Sequence, residues 1–437
     1  MEVTMITRIS SFFHHPVLFL GLDLGKSKSQ LAVLASDGTE LLNFAFVSSR
    51  ENFIEIARLL RPSDSIVLEV STSANAVMTI FRTESAAKAV LSNPLFTRAI
   101  SKARVKSDRE DARKLADLHR AGYLQTVWFP DTDTIALRKL MSDRDSLVNL
   151  RTKLKNRVHS VLDRNLVKHS FSDLFSSEGR RWLASLSDAD ILPVDERDRI
   201  SDILASLDHA ADLVDQTDRA IAAFITSRPA IRRDLDILLT IPGVSLAVGA
   251  AVLAATGDIS RFPTKQKFAC YFGLTQRISQ SGGKQPRIGR ISKQGNAYAR
   301  FMLVEAAEHF RKASPVYARL FDRIKKKRGR NVAIIAIARR LAEVIWSILS
   351  RGEEFVFSHP RLAAEKRRRV DQFAGIASGA NLPRAIPPSG VRETNLRGRD
   401  VKREIFKRSC AEVARILESS GRKTTTAFNP RNPKHID

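Results

Sequence analysis

Four acidic side chains are the strongest candidates for chemistry in this chain of 437 residues. Asp23 lies inside an apolar run that predicts a β-strand, and Glu69 lies near the end of a similar run, SIVLEV. Asp108 and Asp111 are three residues apart in a predicted helix, so they share one helix face. Carboxylates from two strands and one helix can hold two divalent ions about 4 Å apart, which stabilises the attacking and leaving oxygens in phosphodiester chemistry. Their hard oxygen ligands favour Mg²⁺, with Mn²⁺ as the alternative.

Each of these carboxylates is weak evidence by itself. An acidic residue in the first turn of a helix, such as Asp108, commonly compensates the helix dipole. Asp23 is harder to explain as a structural residue, because burying an unpaired charge in an apolar strand is costly. The combined order of strand Asp, strand Glu and helical Asp-x-x-Asp is more specific, and it matches the metal-binding layout of ribonuclease-H-like nucleases.

A glycine-rich basic stretch from Gln276 to Gln294 supplies a second kind of candidate. Ser281 precedes Gly282-Gly283, so its hydroxyl is expected in an exposed loop that leaves room for in-line attack on a phosphate. No acidic residue occurs from Tyr271 to Arg300. The surrounding cations could stabilise the charge of a pentavalent phosphate, and they are Arg277, Lys284, Arg287, Arg290, Lys293 and Arg300. Most Ser-Gly-Gly loops are simple turns, and no general base is visible in this one.

The segment LLTIPGVSLAVGAAVLAATG resembles a helix–hairpin–helix. In such a motif the turn glycine, here Gly243, lets backbone N–H groups approach a nucleic-acid phosphate. An ordinary helix-capping glycine after Pro242 is an equally good interpretation.

The elements that must position these residues fall into four regions. Residues 1–130 alternate strand and helix patterns, with three strands first, and predict an α/β layer on a mixed sheet. Residues 131–234 contain two long charged helical runs that indicate an antiparallel hairpin or coiled-coil arm. Residues 235–352 are again mostly helical, and residues 353–437 form a basic, partly flexible tail in which 399–418 is a candidate helix. The predicted fold class is therefore α/β plus all-α.

Charge and composition restrict the function further. The chain has 72 Lys and Arg against 47 Asp and Glu, a formal net charge of +25, which favours a polyanionic partner such as nucleic acid. Two cysteines, Cys270 and Cys410, exclude a disulfide scaffold or a Cys-rich zinc module and suit a reducing cytoplasm. No apolar run reaches the roughly 20 residues that a membrane-spanning helix needs.

Together these motifs resemble one family, the DEDD transposases of the IS110 type, which include the Piv-like DNA invertases. The resemblance covers about residues 17–350. The matching segments, in order, are GLDLGKSKSQLAVL, LEVSTSA, KSDREDARKLADLHRAG, LLTIPGVSLAVGAAVLAATGDISRFPTKQKFACYFGL, SGGK, GRISKQGNAYAR and NVAIIAIARRLAEVIW.

The resemblance implies more than the spacing does. It implies an RNase H-like (RuvC-like) amino-terminal domain whose metal ligands are Asp23, Glu69, Asp108 and Asp111, and a helical transposase domain in which Ser281 attacks DNA to form a phosphoserine link. It also implies a homodimer or homotetramer assembled through the helical arm. The implied partners are the element ends, the target DNA and a structured bridge RNA, in a cytoplasmic, nucleoid-associated protein.

Three other functions use the same residues. A RuvC-type nuclease would hydrolyse DNA without a covalent intermediate, and the Ser281 loop would then only bind phosphate. An actin-like ATPase could use GLDLGKSKS as its first phosphate loop, but its second Asp-x-Gly loop and its adenosine motif are missing from the sequence. A catalytically silent scaffold for RNA and DNA would use only the basic surfaces.

Overall fold

A computed structural model describes residues 9–94, 107–186, 191–280, 282 and 285–376. Ser281, Lys284 and the candidate helix at 399–418 lie outside the described residues. The chain divides into two units, Met1–Pro130 and Asp131–Asp437.

The described residues of the amino-terminal unit include a six-stranded mixed sheet and the helices named below. The strand order is β3-β2-β1-β4-β5-β6; β1, β4 and β5 are parallel, and β2, β3 and β6 each run antiparallel to the neighbour they join. This arrangement confirms the predicted mixed α/β sheet. The elements are β1 (Phe19–Asp23), β2 (Lys28–Leu34), β3 (Glu40–Val47), α1 (Arg50–Leu59), β4 (Ser65–Glu69), α2 (Ala74–Glu84), β5 (Lys88–Ser92), α3 (Asp108–Arg120) and β6 (Thr126–Val127).

Local sequence explains where these helices begin. The Ser49 hydroxyl accepts the backbone N–H of Asn52 at the start of α1, and the Ser107 hydroxyl accepts that of Glu110 at the start of α3. Such caps satisfy backbone donors that have no partner inside the helix. The α3 cap is adjacent to the Asp-x-x-Asp sequence, so it determines where that sequence enters the helix.

The carboxy-terminal unit is mostly helical and contains one small two-stranded sheet. Its elements are α4 (Thr132–Arg164), α5 (Ser177–Ser185), α6 (Val194–Thr226), α7 (Pro229–Leu239), α8 (Leu246–Thr256), a 3₁₀ turn (Ile259–Arg261), α9 (Lys265–Tyr271), β7 (Gln276–Ser279), β8 (Arg287–Ile291), α10 (Ala297–Ala313), α11 (Pro315–Arg328), α12 (Arg330–Arg351) and α13 (Pro360–Phe373).

The two longest helices, α4 and α6, each have 33 residues and pack along one another. Leu137 near the start of α4 shares a core cluster with Ile225 near the end of α6, whereas Val158 shares one with Ile203. The helices are therefore antiparallel, as their charged helical pattern predicts. At the base of this pair, Arg144 Nε donates to Asp218 Oδ1 at 2.6 Å, and the Arg144 side chain also contacts Tyr298 of α10.

The basic segment after residue 353 begins with the folded helix α13. Lys366 Nζ donates to the carbonyl oxygens of Leu239 at 2.9 Å and Ile241 at 2.8 Å, at the end of α7. Burial lowers the pKa of Lys366 to about 8. Arg232 of α7 also pairs with Asp371 of α13. These contacts attach α13 to the helical unit. No helix in the described ranges is long and apolar enough to cross a membrane.

Candidate active site

Asp23 and Glu69 end two adjacent parallel strands. The register pairs Leu22 of β1 with Leu68 of β4, and Asp23 and Glu69 are the next residues on each strand. Both residues are half-buried. Parallel alignment therefore places the two carboxylates side by side at one edge of the sheet, as their positions in the sequence predict.

Helix α3 covers the face of the sheet on which these two carboxylates emerge. The Ser65 hydroxyl contacts His119 Nε2 at 2.7 Å, and the Phe19 ring packs edge-on against the His119 ring. Side chains alternate between the faces of a strand, so Asp23 shares the face of Phe19, and Glu69 shares the face of Ser65. Burial lowers the pKa of His119, which favours the neutral imidazole in this contact.

Gly21 determines how closely α3 approaches the sheet. A Cβ at this position would lie 2.1 Å from the Ala112 carbonyl oxygen and 2.6 Å from the Ala116 nitrogen. Only glycine lets the helix backbone pass this close to β1. Because His119 lies beside Phe19 and Ala112 lies beside Gly21, α3 runs antiparallel to β1.

This direction places the beginning of α3 at the end of β1. Asp108 and Asp111 occupy the first turn of α3, so they lie at the same end of the sheet as Asp23 and Glu69. Asp108 is exposed and Asp111 is half-buried. The structure therefore brings the two strand carboxylates and the helical pair to one end and one face of the sheet.

The first turn of α3 is also held from the side by the edge strand β3. Glu40 Oε1 accepts from Arg109 at 3.1 Å and Glu40 Oε2 lies 3.6 Å from Arg113. Asn43 Nδ2 donates to the Arg109 carbonyl at 3.1 Å. Burial raises the pKa of Glu40, but hydrogen bonds from Asn43 and Arg109 outweigh it and the net pKa is lowered. Glu40 therefore remains charged and holds in place the first turn of α3, which carries Asp108 and Asp111.

The four carboxylates lie at the same end of the sheet, but their side chains do not converge closely enough to hold a metal ion as they stand. Among the residues that the structure describes, no three acidic, histidine or cysteine side chains converge into a group that could hold a metal ion. Asp111 instead lies 4.0 Å from Lys114. The donors nevertheless fit a hard divalent cation, since all four are carboxylates. Binding would require rotation of side chains that are exposed or half-buried.

The described part of the glycine-rich basic stretch contains two paired strands, which the sequence analysis does not predict. Strands β7 and β8 pair antiparallel, with Ile278 opposite Ile288 and Ser279 opposite Arg287. All of β7 and most of β8 are exposed. Arg277, Arg287 and Arg290 therefore project from a solvated two-stranded ribbon rather than from an irregular loop.

Arg300 and Lys293 form part of the base of this hairpin. The Arg300 guanidinium donates to the carbonyl oxygens of Phe272 and Lys293, each at 3.1 Å. Lys293 has a left-handed backbone with a φ of 54°. A Cβ on Gly295 would lie 2.0 Å from the Tyr271 carbonyl oxygen, so glycine is required where the two ends of the hairpin meet. Arg300 therefore positions the hairpin. On the ribbon itself, Arg277 donates to the Ser292 carbonyl oxygen at 3.1 Å, so Arg287 and Arg290 are the guanidiniums more available to a phosphate.

Gly243, for which a phosphate-binding turn and an ordinary helix cap are equally good interpretations, is half-buried in the helical unit. Its φ is +89°, and a Cβ there would lie 2.5 Å from the Ala306 carbonyl oxygen and 2.9 Å from His309 Cβ. Pro242 beside it is buried. The glycine therefore lets the turn between α7 and α8 pack against α10, and its role in phosphate binding stays a prediction.

Comparison with known proteins identifies the family. A model described as "Transposase", for the DEDD transposases of IS110 type, matches residues 20–166 and contains all four carboxylates. A second model, "Transposase IS116/IS110/IS902 family", matches residues 235–321 and contains the hairpin. Together they span more than half of the chain, in the predicted order. The chain belongs to the IS110 family of DEDD transposases.

Individual relatives agree with this assignment. The chain is 24% identical over 344 residues to "Transposase for insertion sequence element IS1328" of Yersinia enterocolitica, covering 78% of this chain and 98% of the relative. It is 28% identical over 258 residues to "Transposase for insertion sequence element IS1111A" of Coxiella burnetii, covering 57% and 68%. It is 26% identical over 256 residues to a "Probable family 20 transposase" of Pseudomonas aeruginosa, covering 56% and 72%. The chain is thus an insertion-sequence transposase.

Proposed function

We propose that this IS110 transposase cuts and rejoins DNA at the ends of its element by using a carboxylate-held metal site together with a serine nucleophile. The main support for the proposal is that IS110 family models match both the carboxylate region and the serine region of this one chain. The shared end of Asp23, Glu69, Asp108 and Asp111 supports the first half.

In this proposal the four carboxylates hold Mg²⁺ or Mn²⁺. Bound divalent ions would supply charge neutralisation at the scissile phosphate and would favour ionisation of an attacking hydroxyl. The residues of the chain define where that happens. Gly21 lets α3 approach β1, and the Glu40–Arg109 pair holds the first turn of the helix, so Asp108 and Asp111 face the end of β1.

Ser281 is the proposed nucleophile. Its oxygen forms a bond to phosphorus while the bond from phosphorus to one sugar oxygen breaks, and the proton lost by the serine hydroxyl balances the proton gained by the released sugar hydroxyl. The product is a phosphoserine ester that conserves the energy of the cleaved linkage. Attack by a DNA hydroxyl on that ester then rejoins the strand and regenerates Ser281.

Ser281→Ala tests the covalent step. The variant is expected to yield no protein–DNA adduct, because alanine has no oxygen to bond to phosphorus. The measurement is denaturing gel electrophoresis of the protein with radiolabelled element-end DNA. Ser279→Ala is a matched control, since Ser279 is an exposed serine of β7 that lies two residues earlier in the sequence, and it should retain the adduct. Strand cleavage that persists in Ser281→Ala at the wild-type rate would favour the hydrolytic nuclease instead.

The hairpin cations are proposed to bind the phosphates next to the reacting one. Arg277, Arg287 and Arg290 lie on the exposed ribbon. In the sequence, Lys284 lies between its two strands and Lys293 follows the second. A two-stranded ribbon is narrow enough to enter the major groove of DNA, and arginine forks match phosphate oxygens. Arg300 contributes by holding the base of the hairpin in shape.

The further partners are a bridge RNA and additional copies of the chain, as a homodimer or homotetramer. The net charge of +25 supports binding of a polyanion in addition to the DNA. We expect one specific structured transcript to copurify with the protein, and sequencing of the bound RNA is the measurement. A bound pool that mirrors total cellular RNA would contradict guidance by a dedicated transcript.

A further inference from the structure

Helices α11 and α12 meet at a turn that carries a dense group of cations. Helix α11 ends with four consecutive basic residues and the chain then turns at Gly329, whose φ is +84°. All of the cations at this turn are exposed. We call the group the basic corner, and it consists of Arg323, Lys325, Lys326, Lys327 and Arg328.

The basic corner has no counter-ions within the part of the chain that the structure describes. None of its five residues forms an ion pair there. Glu308 of α10 already accepts from Arg311 at 2.9 Å and pairs with Arg330 at the start of α12. Asp322 is the one acidic residue of α11. The positive charge of the corner therefore remains uncompensated.

Packing of the helix does not account for these cations. Helix α11 attaches to the core through buried Phe321 and through Tyr317, Leu320 and Ile324. The guanidinium of Arg311 also stacks on the Phe321 ring at 4.2 Å. The core contacts of α11 are thus made by apolar residues, and the corner lies outside them.

Helix stability does not require the full set either. One or two cations in the last turn of a helix interact favourably with its dipole, by about 0.3–1 kcal/mol each. Further like charges on neighbouring turns repel each other by similar amounts. A run of four adjacent cations therefore exceeds what the helix terminus uses, and a polyanion would relieve their repulsion.

We propose that the basic corner binds the phosphate backbone of double-stranded DNA independently of base sequence. The inference adds a second DNA contact to the proposed function, apart from the β7–β8 hairpin, and it rests on the transposase acting on DNA. Lysine suits this role because its ammonium is a mobile point charge that does not select a base edge. Such a surface would hold DNA that flanks the reacting site.

The test is a salt titration of DNA binding with the full-length protein. A fluorescent 30-base-pair duplex of arbitrary sequence is titrated between 50 and 200 mM salt, with a chelator present so that no cleavage occurs. The variant replaces Lys325, Lys326, Lys327 and Arg328 with Gln. Each lost phosphate contact reduces the magnitude of the slope of log K against log salt by about 0.9, so a decrease of about 3.6 is expected if all four cations contact phosphates.

A matched variant controls for net charge. It replaces four other exposed cations of the same unit, none of which forms an ion pair in the described ranges: Lys139, Lys153, Arg157 and Arg219. A decrease in slope that is clearly larger for the corner variant supports the proposal. Equal decreases in the two variants, or an unchanged slope in the corner variant, overturn it.

Two further measurements keep the result interpretable. Circular dichroism and thermal melting compare the folding of each variant with the wild type, and single Lys326→Gln and Lys327→Gln variants replace any quadruple variant that melts early. An RNA duplex of the same length is titrated in parallel, and a loss confined to RNA overturns the assignment to DNA. Because DNA binding is measured without cleavage, an unchanged salt dependence would not contradict the proposed metal and serine chemistry. Loss of that chemistry would likewise not contradict DNA binding by the basic corner.

Discussion

Asp23→Asn is expected to reduce excision of the element by a thousandfold or more. The substitution keeps the size of the side chain but removes a negative charge from the end of β1, where Glu69 and the first turn of α3 are also found. Loss of one charged ligand weakens the neutralisation of the scissile phosphate, and about 4 kcal/mol of transition-state stabilisation corresponds to that factor. The measurement is quantitative PCR of the excised junction in cells, together with cleavage of element-end DNA in vitro.

Asp117→Asn is the matched control. Asp117 is an exposed carboxylate toward the other end of α3, and it pairs with Arg120. It should excise at close to the wild-type rate, because an exposed ion pair contributes little to stability. Wild-type excision by Asp23→Asn would leave the carboxylates without a catalytic role and would favour a scaffold that only binds nucleic acid.

Gly21→Ala should displace α3 and destabilise the amino-terminal unit by about 3 kcal/mol. A Cβ at this position would come within 2.1 Å of the Ala112 carbonyl oxygen. The Ala112 oxygen, like the Ala116 nitrogen at 2.6 Å, belongs to the helix backbone, so no side chain can rotate away and the helix itself must move. Overpacking in a core costs about 1–3 kcal/mol, and the upper end of that range applies here. Hydrogen exchange of the α3 amides in the full chain measures the effect, and excision should fall with it.

Gly289→Ala is a control glycine in another strand. A Cβ there would lie 3.5 Å from the Arg277 carbonyl oxygen, which is an ordinary contact. Its effect on thermal stability should be within about 0.5 kcal/mol. If Gly21→Ala left exchange in α3 unchanged, the close approach of helix and strand would not be what positions Asp108 and Asp111.

The strands and helices of the amino-terminal unit could be predicted from the sequence, because the apolar runs and the turn residues agree on where each element begins and ends. Apolar runs such as SIVLEV are typical of buried strands, the Asp37-Gly38 pair marks the turn between β2 and β3, and Pro62 closely follows the end of α1. The structure places strands and helices at these predicted positions. The two 33-residue helices were also predictable, since no strand signal interrupts their charged helical pattern.

The basic hairpin was not predicted because both of its faces are exposed. A half-buried strand shows alternating apolar and polar residues, but here Ile278 and Ile288 both face solvent and arginines surround them. Glycine content then favours a loop. The only sequence signal for β8 is the short alternation RIGRI.

Two of the glycines show a related ambiguity. Gly243 and Gly21 both lie in segments that resemble phosphate-binding loops, since glycine is needed wherever a backbone approaches closely. The structure shows that the close neighbour is protein in each case, α10 for Gly243 and α3 for Gly21. Sequence alone does not tell which backbone or ligand comes near, because that depends on long-range packing.

The sequence identified the four candidate carboxylates, but it did not predict that all four lie at the same end of the sheet. Their types and order suggest two strands and one helix, but the shared end depends on the direction in which α3 crosses the sheet. His119 against Ser65 and Ala112 against Gly21 establish that direction. The positioning role of Glu40 was missed altogether, because an acidic residue on an edge strand resembles any solvated charge.

The paired helices α4 and α6 continue well beyond the Arg144–Asp218 contact that joins them. From Arg144 to the end of α4 is about 20 residues, or roughly 30 Å of helix. A tilt of about 5° around the Arg144–Asp218 contact would move the far tip by roughly 2–3 Å, which is close to the length of one hydrogen bond. The position of any molecule bound at that tip would thus be sensitive to the packing around Arg144. This residue also contacts Tyr298, in the helix that follows the hairpin.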